Sequence, residues 1–299
     1  MIGKITVKRA LKKGAGMAAA AGRNLLAARR PTGVCIFAYH RVAEIPFIDP
    51  NLDDWNVPPA MFEKHLAAFS EFAEVIPLED VFRRLEGPSS KPLVSLTFDD
   101  GYANFCTQAL PLLKRYGIPA SLFVVTDVVG LQRPMPFDGW SLANASKTPE
   151  DAWRPISWDE LNLCAASGLV RIGSHSHRHG NGLKCTMEQL FHEAEESRAI
   201  LRSRMGDEAG RMYSYPYGSR RLGQVSDDYV EAVREAGYSF AVTTDLGIAR
   251  ANSDPLALPR IEAHAVDSAR VLRAKAAGIL APYRLTDMLR RAERSVAPS

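Results

Sequence analysis

Short apolar runs alternate with amphipathic segments along most of the chain. The runs have the length of buried strands, and the amphipathic segments carry apolar residues three or four positions apart, as helices do. We predict strands at residues 34–39, 75–78, 93–98, 120–125, 170–172, 213–215 and 240–243, and helices at 61–72, 106–116, 158–166, 187–205 and 227–236. Strands that alternate with helices are typical of a parallel sheet, either open or closed into a barrel.

Residues 131–157 interrupt this alternation. The segment is rich in proline and polar residues and contains Phe137, Trp140 and Trp153. A loop of this length inside a compact domain is usually functional or disordered. We expect its aromatic rings either to form a wall of a substrate site, where they would stack on a sugar, or to pack on the rest of the fold.

Composition places the chain among ordinary globular proteins. Hydrophobic residues make up 46% of the 299 positions and charged residues 24%, which argues against a wholly disordered chain. No apolar run approaches the roughly 18 residues that a membrane-spanning helix needs. The four cysteines are scattered and form no short metal-ligand spacing, so we predict reduced thiols and a cytoplasmic protein.

Positive charge is concentrated at the start of the chain. Residues 1–30 contain eight lysines and arginines and no acidic residue, which leaves 29 basic against 34 acidic residues elsewhere. The acidic body is a poor candidate for nucleic-acid binding. We expect residues 1–30 to form a cationic amphipathic helix that lies on the inner face of a membrane or packs on the body; a solvated tail is the alternative. A second basic helical segment is predicted at 269–299, after a catalytic domain at 31–268.

Two adjacent carboxylates follow one of the predicted strands. Asp99 and Asp100 come directly after the strand at 93–98, and Gly101 allows a sharp turn after them. Successive strand residues point to opposite faces and like charges repel, so this placement is costly unless it serves a purpose. A helix N-cap is the structural alternative.

Three of the seven histidines lie within five residues. His175 and His179 are four positions apart, so one helical turn would put both rings on one face. Two imidazoles and one carboxylate bind a divalent metal and leave a position open for water. The same set also occurs in non-haem iron oxygenases, although that chemistry has no use for Asp99. We expect His177 to lie outside the ligand set.

Four motifs together resemble a known family. The segment 97–102 (TFDDGY) resembles the first signature of the polysaccharide deacetylases, the NodB-homology or carbohydrate esterase 4 family. The segment 175–179 (HSHRH) resembles the second signature, and 215–218 (YPYG) resembles the core of the third. The opening 38–42 (AYHRV) also resembles the start of many members. Order and spacing match from about residue 34 to residue 261.

The resemblance implies a distorted (β/α) barrel, as one catalytic domain, that holds a divalent metal. Zinc is the expected metal, with Co²⁺, Mn²⁺ or Ni²⁺ as substitutes. Carried over to this chain, Asp100, His175 and His179 would bind the metal, and Asp99 would be the general base. The backbone N–H of Tyr217 would donate to the oxyanion. Pro216 would join Tyr217 in contacting the substrate, and Trp140 of the 131–157 loop is a further candidate for this contact.

Two departures from the family pattern bear on the orientation of the base and on the general acid. The third signature usually carries an arginine two residues before its proline, and Ser214 occupies that position. We expect Arg260 to replace that arginine in orienting the base. No signature for the general acid stands near the C-terminus; His40 is the preferred candidate and His264 the other. A subset that opens with the Tyr-His strand resembles a circularly permuted barrel with this histidine at the site. If neither histidine serves, water would supply the proton.

The predicted function is removal of an N-acetyl group from an amino sugar in an oligosaccharide, a polysaccharide or a lipid-linked glycan precursor. One alternative is the same fold acting on another C–N bond, as a formamido-sugar deformylase or an allantoinase-like ureide hydrolase. A non-catalytic glycan-binding barrel is the other, and Ser214 keeps it open. Fold alone does not decide activity.

Overall fold

The computed structural model describes residues 33–47 and 55–280. The predicted basic helix at residues 1–30 and the end of the predicted segment 269–299 lie outside the described residues. No helix in the described part combines the length and the apolarity needed to cross a membrane.

Parallel strands form the centre of the molecule. Seven of them close into a ring in the order β1-β8-β7-β6-β5-β4-β3, because β1 pairs with β8 on one edge and with β3 on the other. The short β2 pairs with the first residues of β3. The strands are β1 (Val34–Tyr39), β2 (Glu74–Val75), β3 (Leu93–Phe98), β4 (Ala120–Val124), β5 (Val170–Ser174), β6 (Met212–Ser214), β7 (Phe240–Leu246) and β8 (Leu258–Glu262).

Helices follow most of the strands and pack outside the ring. They are α1 (Pro59–Phe72), α2 (Val81–Leu85), α3 (Leu110–Tyr116), α4 (Gly139–Asn144), α5 (Trp158–Ala166), α6 (Met187–Met205), α7 (Asp227–Glu235) and α8 (Ala269–Ala276). Capping boxes begin α5 and α6, with Ser157 and Thr186 as the N-cap residues. These hydroxyls accept hydrogen bonds from backbone N–H groups that the first helical turn leaves unpaired.

The first strand shows how the core is divided. All six residues of β1 are buried. Cys35, Phe37 and Tyr39 join a cluster with apolar residues of α1, α3, α5 and α8. Val34 and Ile36 join a second cluster that contains residues of β3, β4, β6, β7 and β8. Because successive strand residues point to opposite faces, one side of β1 packs against the helices and the other fills the barrel.

The predicted barrel is confirmed, and most of its elements have the predicted bounds within two residues. The predicted strand 75–78 is the main error: pairing stops at Val75, and Pro77 leads into a 3-10 turn at Leu78–Asp80. The prediction omits β8 and α2. The segment 131–157 contains α4 and two 3-10 turns. A π-type turn at Phe105–Ala109 replaces the first part of the predicted helix 106–116.

Candidate active site

Asp99 and Asp100 lie at the carboxyl end of β3 and line the same cavity. An extended chain would point them to opposite faces, but Asp100 has a φ of 72°, and this left-handed conformation changes the direction of the chain. Gly101 follows with a φ of 77°. A Cβ atom there would lie 2.8 Å from Val124 Cγ1, so the turn requires glycine. Neither aspartate caps a helix.

Asp100, His175 and His179 place one ligand atom each within 4.8 Å of one another. The Nε2 atoms of His175 and His179 lie 3.4 Å and 3.6 Å from Asp100 Oδ1. The expected helical turn between the two histidines is wrong. They lie in an irregular loop after β5 in which Ser176 and His179 both have positive φ values. The loop, and not a shared helix face, brings the two rings together.

The two histidine rings are held in different ways. The Nδ1 atom of His175 donates to the carbonyl oxygen of Ser214 at 2.8 Å, which fixes the ring with Nε2 turned toward Asp100 Oδ1. The Nδ1 atom of His179 is buried and has no hydrogen-bond partner among the described residues. The Phe137 ring stacks on His179 instead, with the ring centroids 4.1 Å apart and the planes 11° from parallel.

Electrostatics suit a cation at this position. Burial by itself would raise the pKa of Asp100, but the hydrogen bond from His175 and the nearby His40 and His179 lower it well below its ordinary value. Burial and the neighbouring His175 lower the pKa of His179 to about 4, so this ring is neutral at pH 7. An ionised carboxylate and two imidazoles with converging atoms fit a divalent metal such as zinc.

Asp99 forms a buried ion pair with Arg260. The Nη1 and Nη2 atoms of Arg260 donate to the two carboxylate oxygens at 2.9 Å and 2.6 Å. The side chains are 1% and 2% exposed. Burial would raise the pKa of Asp99, yet Arg260, His175 and His40 together outweigh it and lower the pKa to about 2. The Ser214 hydroxyl, at the position of the family's usual arginine, accepts from Arg260 Nη2 at 3.1 Å.

Of the two candidate acids, the structure brings His40 to the cavity. His40 Nε2 lies 4.0 Å from Asp99 Oδ2, and the His40 and Trp55 rings are nearly perpendicular, with their centroids 4.6 Å apart. His264 does not line the cavity. It lies after β8, with Nε2 3.8 Å from a Glu262 carboxylate oxygen.

The cavity itself has a volume of about 420 Å³ and mixes polar and aromatic walls. Tyr217 is on its rim with a φ of 61°, and its backbone N–H donates to no acceptor in the described part of the chain. Phe137 and Trp140 line the cavity, whereas Pro216 and Trp153 do not. Pro216 instead accepts a 2.7 Å hydrogen bond from Gly218 N–H in the turn that carries Tyr217.

Sequence reasoning missed several residues that line the cavity, among them Arg41, Tyr102 and Asp138. Tyr102 belongs to the first signature and Arg41 follows His40, so their positions were available as signals. Asp138 carried no signal, because an isolated aspartate in a polar loop is unremarkable until its partner is known. His177 is outside the cavity, as expected, and its Nδ1 atom lies 3.0 Å from Thr126 Oγ1.

The structure is a closed parallel (β/α) barrel with carboxylates and histidines at its carboxyl-terminal rim, where barrels of this kind carry their active sites, and Asp100, His175 and His179 could hold a metal ion there. The family model for polysaccharide deacetylases matches residues 86–241, and the chain belongs to this family. It is a hydrolase of carbon–nitrogen bonds in N-acetylated polysaccharides, as the sequence predicts.

Individual relatives agree with this assignment. The poly-beta-1,6-N-acetyl-D-glucosamine N-deacetylase of Staphylococcus aureus is 24% identical over 242 residues, which are 75% of this chain and 76% of that protein. The structure of IcaB from Ammonifex degensii has a TM-score of 0.65 at 22% identity, and covers 82% of this chain and 97% of its own. The Streptococcus pyogenes deacetylase PplD, in complex with acetate, has a TM-score of 0.63 at 22% identity, with coverages of 81% and 97%. These two likenesses establish the fold.

Proposed function

We propose that this protein is a zinc-dependent N-deacetylase of β-1,6-linked poly-N-acetylglucosamine. One observation carries the proposal: the metal-binding set of Asp100, His175 and His179 shares a cavity with a separate, ionised carboxylate, Asp99. The substrate follows from the Staphylococcus aureus relative, which is named for this polymer.

A divalent metal held by these three residues would lower the pKa of a bound water to about 7 and would polarise the amide carbonyl. Asp99 is the residue that takes a proton from the attacking water. Its pKa of about 2 keeps it ionised at every physiological pH. Arg260 bonds both carboxylate oxygens and holds the group in one orientation.

Two further groups act on the acetamide. The Tyr217 N–H donates to the oxyanion that forms when water adds to the carbonyl; losing such a donor typically costs about 10²–10³ in rate. His40, next to Asp99 on the cavity wall, gives a proton to the leaving amine nitrogen. His40 and Asp99 line the same cavity, so the acid and the base act on one bound acetamide.

Trp140 provides the surface for the sugar. A pyranose ring presents an apolar C–H face that stacks on an aromatic side chain. The cavity volume of about 420 Å³ lies within the range of sites that enclose a small-molecule ligand, and the mouth also carries the half-exposed ring of Tyr217. We assign one N-acetylglucosamine unit to the cavity.

The proposal extends to where the enzyme works. The basic residues 1–30 would hold the protein at the cytoplasmic face of a membrane, next to a lipid-linked glycan. Anionic vesicles that contain about 30% phosphatidylserine should sediment the full chain but not a variant with the basic residues of 1–30 replaced by glutamine. Equal sedimentation of both would refute this part.

The first experiment measures metal content and acetate release on the same protein sample. Protein purified without added metal should contain one zinc by mass spectrometry and release acetate from β-1,6-linked N-acetylglucosamine oligomers. Chelation should abolish release, and zinc should restore it. His177→Ala is the matched control, because His177 lies between the two ligands in sequence but outside the cavity.

Each alternative has its own outcome. Bound metal without acetate release would direct the search to formamido sugars or ureides. Absence of metal, even after zinc is added, would refute the ligand assignment and favour a glycan-binding barrel.

A further inference from the structure

Arg41 is a charged residue buried next to the candidate general acid. It follows His40 after β1, is 1% exposed and lines the cavity. A buried guanidinium is costly unless its donors are paired. Arg41 Nη2 donates to Asp138 Oδ2 at 2.7 Å and to Ser141 Oγ at 3.0 Å, and Nε donates to the Ala152 carbonyl at 2.6 Å.

All three partners belong to one segment, residues 131–157, which crosses the carboxyl-terminal rim of the barrel between β4 and α5. The Tyr102 hydroxyl, from the turn after β3, donates to the same Asp138 oxygen at 2.8 Å. Asp138 also caps α4, where it accepts from the Ser141 N–H at 3.1 Å. Asp138 therefore joins the ends of two strands to the start of the helix that contains Trp140.

The guanidinium also contacts two aromatic rings. Its Cζ atom lies 4.2 Å from the centre of the Tyr102 ring and 4.7 Å from that of Trp140. A cation over the face of an aromatic ring is attracted to it, most strongly when both are shielded from water. Arg41 thus contacts Trp140 directly and, through Asp138, fixes the backbone two residues before it.

The other aromatic residue of this wall has a separate support. Phe137, which stacks on His179, packs against an apolar cluster of Tyr102, Val125, Val128 and Met135. Arg41 reaches this cluster at the Tyr102 ring, whereas Val125, Val128 and Met135 support Phe137 as well. A change at Arg41 should therefore disturb Trp140, which it contacts directly, more than the ring over the metal ligand.

We propose that Arg41 is a positioning residue for glycan binding: it holds Trp140 in the orientation that stacks on the pyranose ring of a β-linked N-acetylhexosamine. This inference rests on the proposed function. Arg41 acts through Trp140 and takes no part in proton transfer, so it governs KM and leaves kcat to the residues around Asp99.

Arg41→Lys tests the proposal. Lysine keeps the charge, but a single ammonium cannot reproduce the planar fork that reaches Asp138 and Ala152 together and lies against Trp140. With a β-1,6-linked tetramer as substrate, we expect KM to rise about tenfold, in line with the loss of one aromatic contact. We expect kcat to stay within about twofold and the zinc content to be unchanged.

A double-variant comparison shows whether Arg41 acts through Trp140. Trp140→Ala should raise KM by about the same factor, and adding Arg41→Lys to Trp140→Ala should raise it no further. Arg154→Lys is the matched control. Arg154 is in the same segment and makes a two-bond ion pair with Glu160, but it does not line the cavity, so its KM should equal that of the wild type.

Three results would overturn the inference: an unchanged KM in Arg41→Lys, a loss confined to kcat, or KM effects that multiply in the double variant. If Arg41→Lys fails to fold, Asp138→Asn serves instead, because it weakens the same ion pair; it should raise KM in the same direction. Wild-type acetate release is measured in the same series. If the wild type releases no acetate, the proposed function is refuted. If the wild type releases acetate and the variant has the wild-type KM, only the role of Arg41 is refuted.

Discussion

Replacing Arg260 with methionine removes one half of the buried ion pair that holds the proposed base. Methionine has a similar length but neither charge nor hydrogen-bond donors. In the wild type, Arg260 supplies both hydrogen bonds to the Asp99 carboxylate, and it also bonds Thr97, Ser214 and Thr243. The variant leaves a carboxylate that is 2% exposed without its counter-ion.

The magnitude follows from burial and from the pKa of Asp99. Breaking a buried ion pair by removing one partner costs about 3–5 kcal/mol in the free energy of unfolding. In the wild type, the pKa is lowered from 3.8 to about 2. That shift corresponds to about 2 kcal/mol of stability, which is present above pH 4 and lost as the pH falls toward 2.

In Arg260→Met, the contribution of Asp99 to the pH dependence of stability changes sign. Burial is the largest single influence on the pKa of Asp99, and without Arg260 only His175 and His40 remain to oppose it, so the pKa rises. The folded variant then loses stability as the pH rises above about 4, because the buried carboxylate must ionise without a partner. The difference in unfolding free energy from the wild type should therefore be largest near pH 7 and smaller near pH 4.

Two assays measure the expected losses of stability and of activity. Urea unfolding at pH 4.5 and pH 7 measures the stability difference, and acetate release from pH 4 to pH 9 measures the activity. At pH 7 we expect kcat to fall by about 10²–10⁴, the usual contribution of a positioned base. The acid limb of the pH profile should move to higher pH, because Asp99 must lose its proton before it can act.

The matched control is Arg154→Met, which breaks a two-bond pair with Glu160 away from the cavity. It should lower stability and leave the pH profile unchanged. If Arg260→Met keeps kcat within about threefold and shows the wild-type acid limb, the reasoning about Asp99 and Arg260 is wrong.

Three further predictions concern the metal site and the core. Asp99→Asn should keep one zinc and lose activity, whereas Asp100→Asn should lose both by mass spectrometry and acetate assay; a metal-free Asp99→Asn would contradict the division of roles. Phe137→Ala removes the ring that holds His179 and should weaken zinc binding about tenfold in chelator competition, and unchanged affinity would count against the stacking contact. Burial lowers the pKa of His65 from 6.5 to about 4. The free energy of unfolding should therefore fall by about 3 kcal/mol as the pH drops from 6.5 to 4. His65→Gln should remove this loss in urea titrations, and an unaltered dependence of stability on pH would refute the assignment.

The sequence predicts elements well where the signal is local. The bounds of β1, β3, α5 and α6 agree with the predicted segments, because apolar spacing and capping residues act over a few positions. The candidate metal ligands are also accessible from spacing, although a helical turn is not what brings His175 and His179 together. A positive φ at His179 is a property of the folded loop that no periodicity shows.

Closure of the barrel decides which residues from distant parts of the chain meet at the site. Arg260 and Asp99 are 161 positions apart and form two hydrogen bonds only because β8 and β3 both flank β1 in the ring. Arg41 and Asp138 are 97 positions apart, and Phe137 reaches His179 from an insertion that looked irregular. The chain by itself determined which residue types are present and which segments form strands and helices. The tertiary structure decided which of these charges and rings meet, because contacts between distant residues depend on strand order and on the direction in which each loop leaves the barrel.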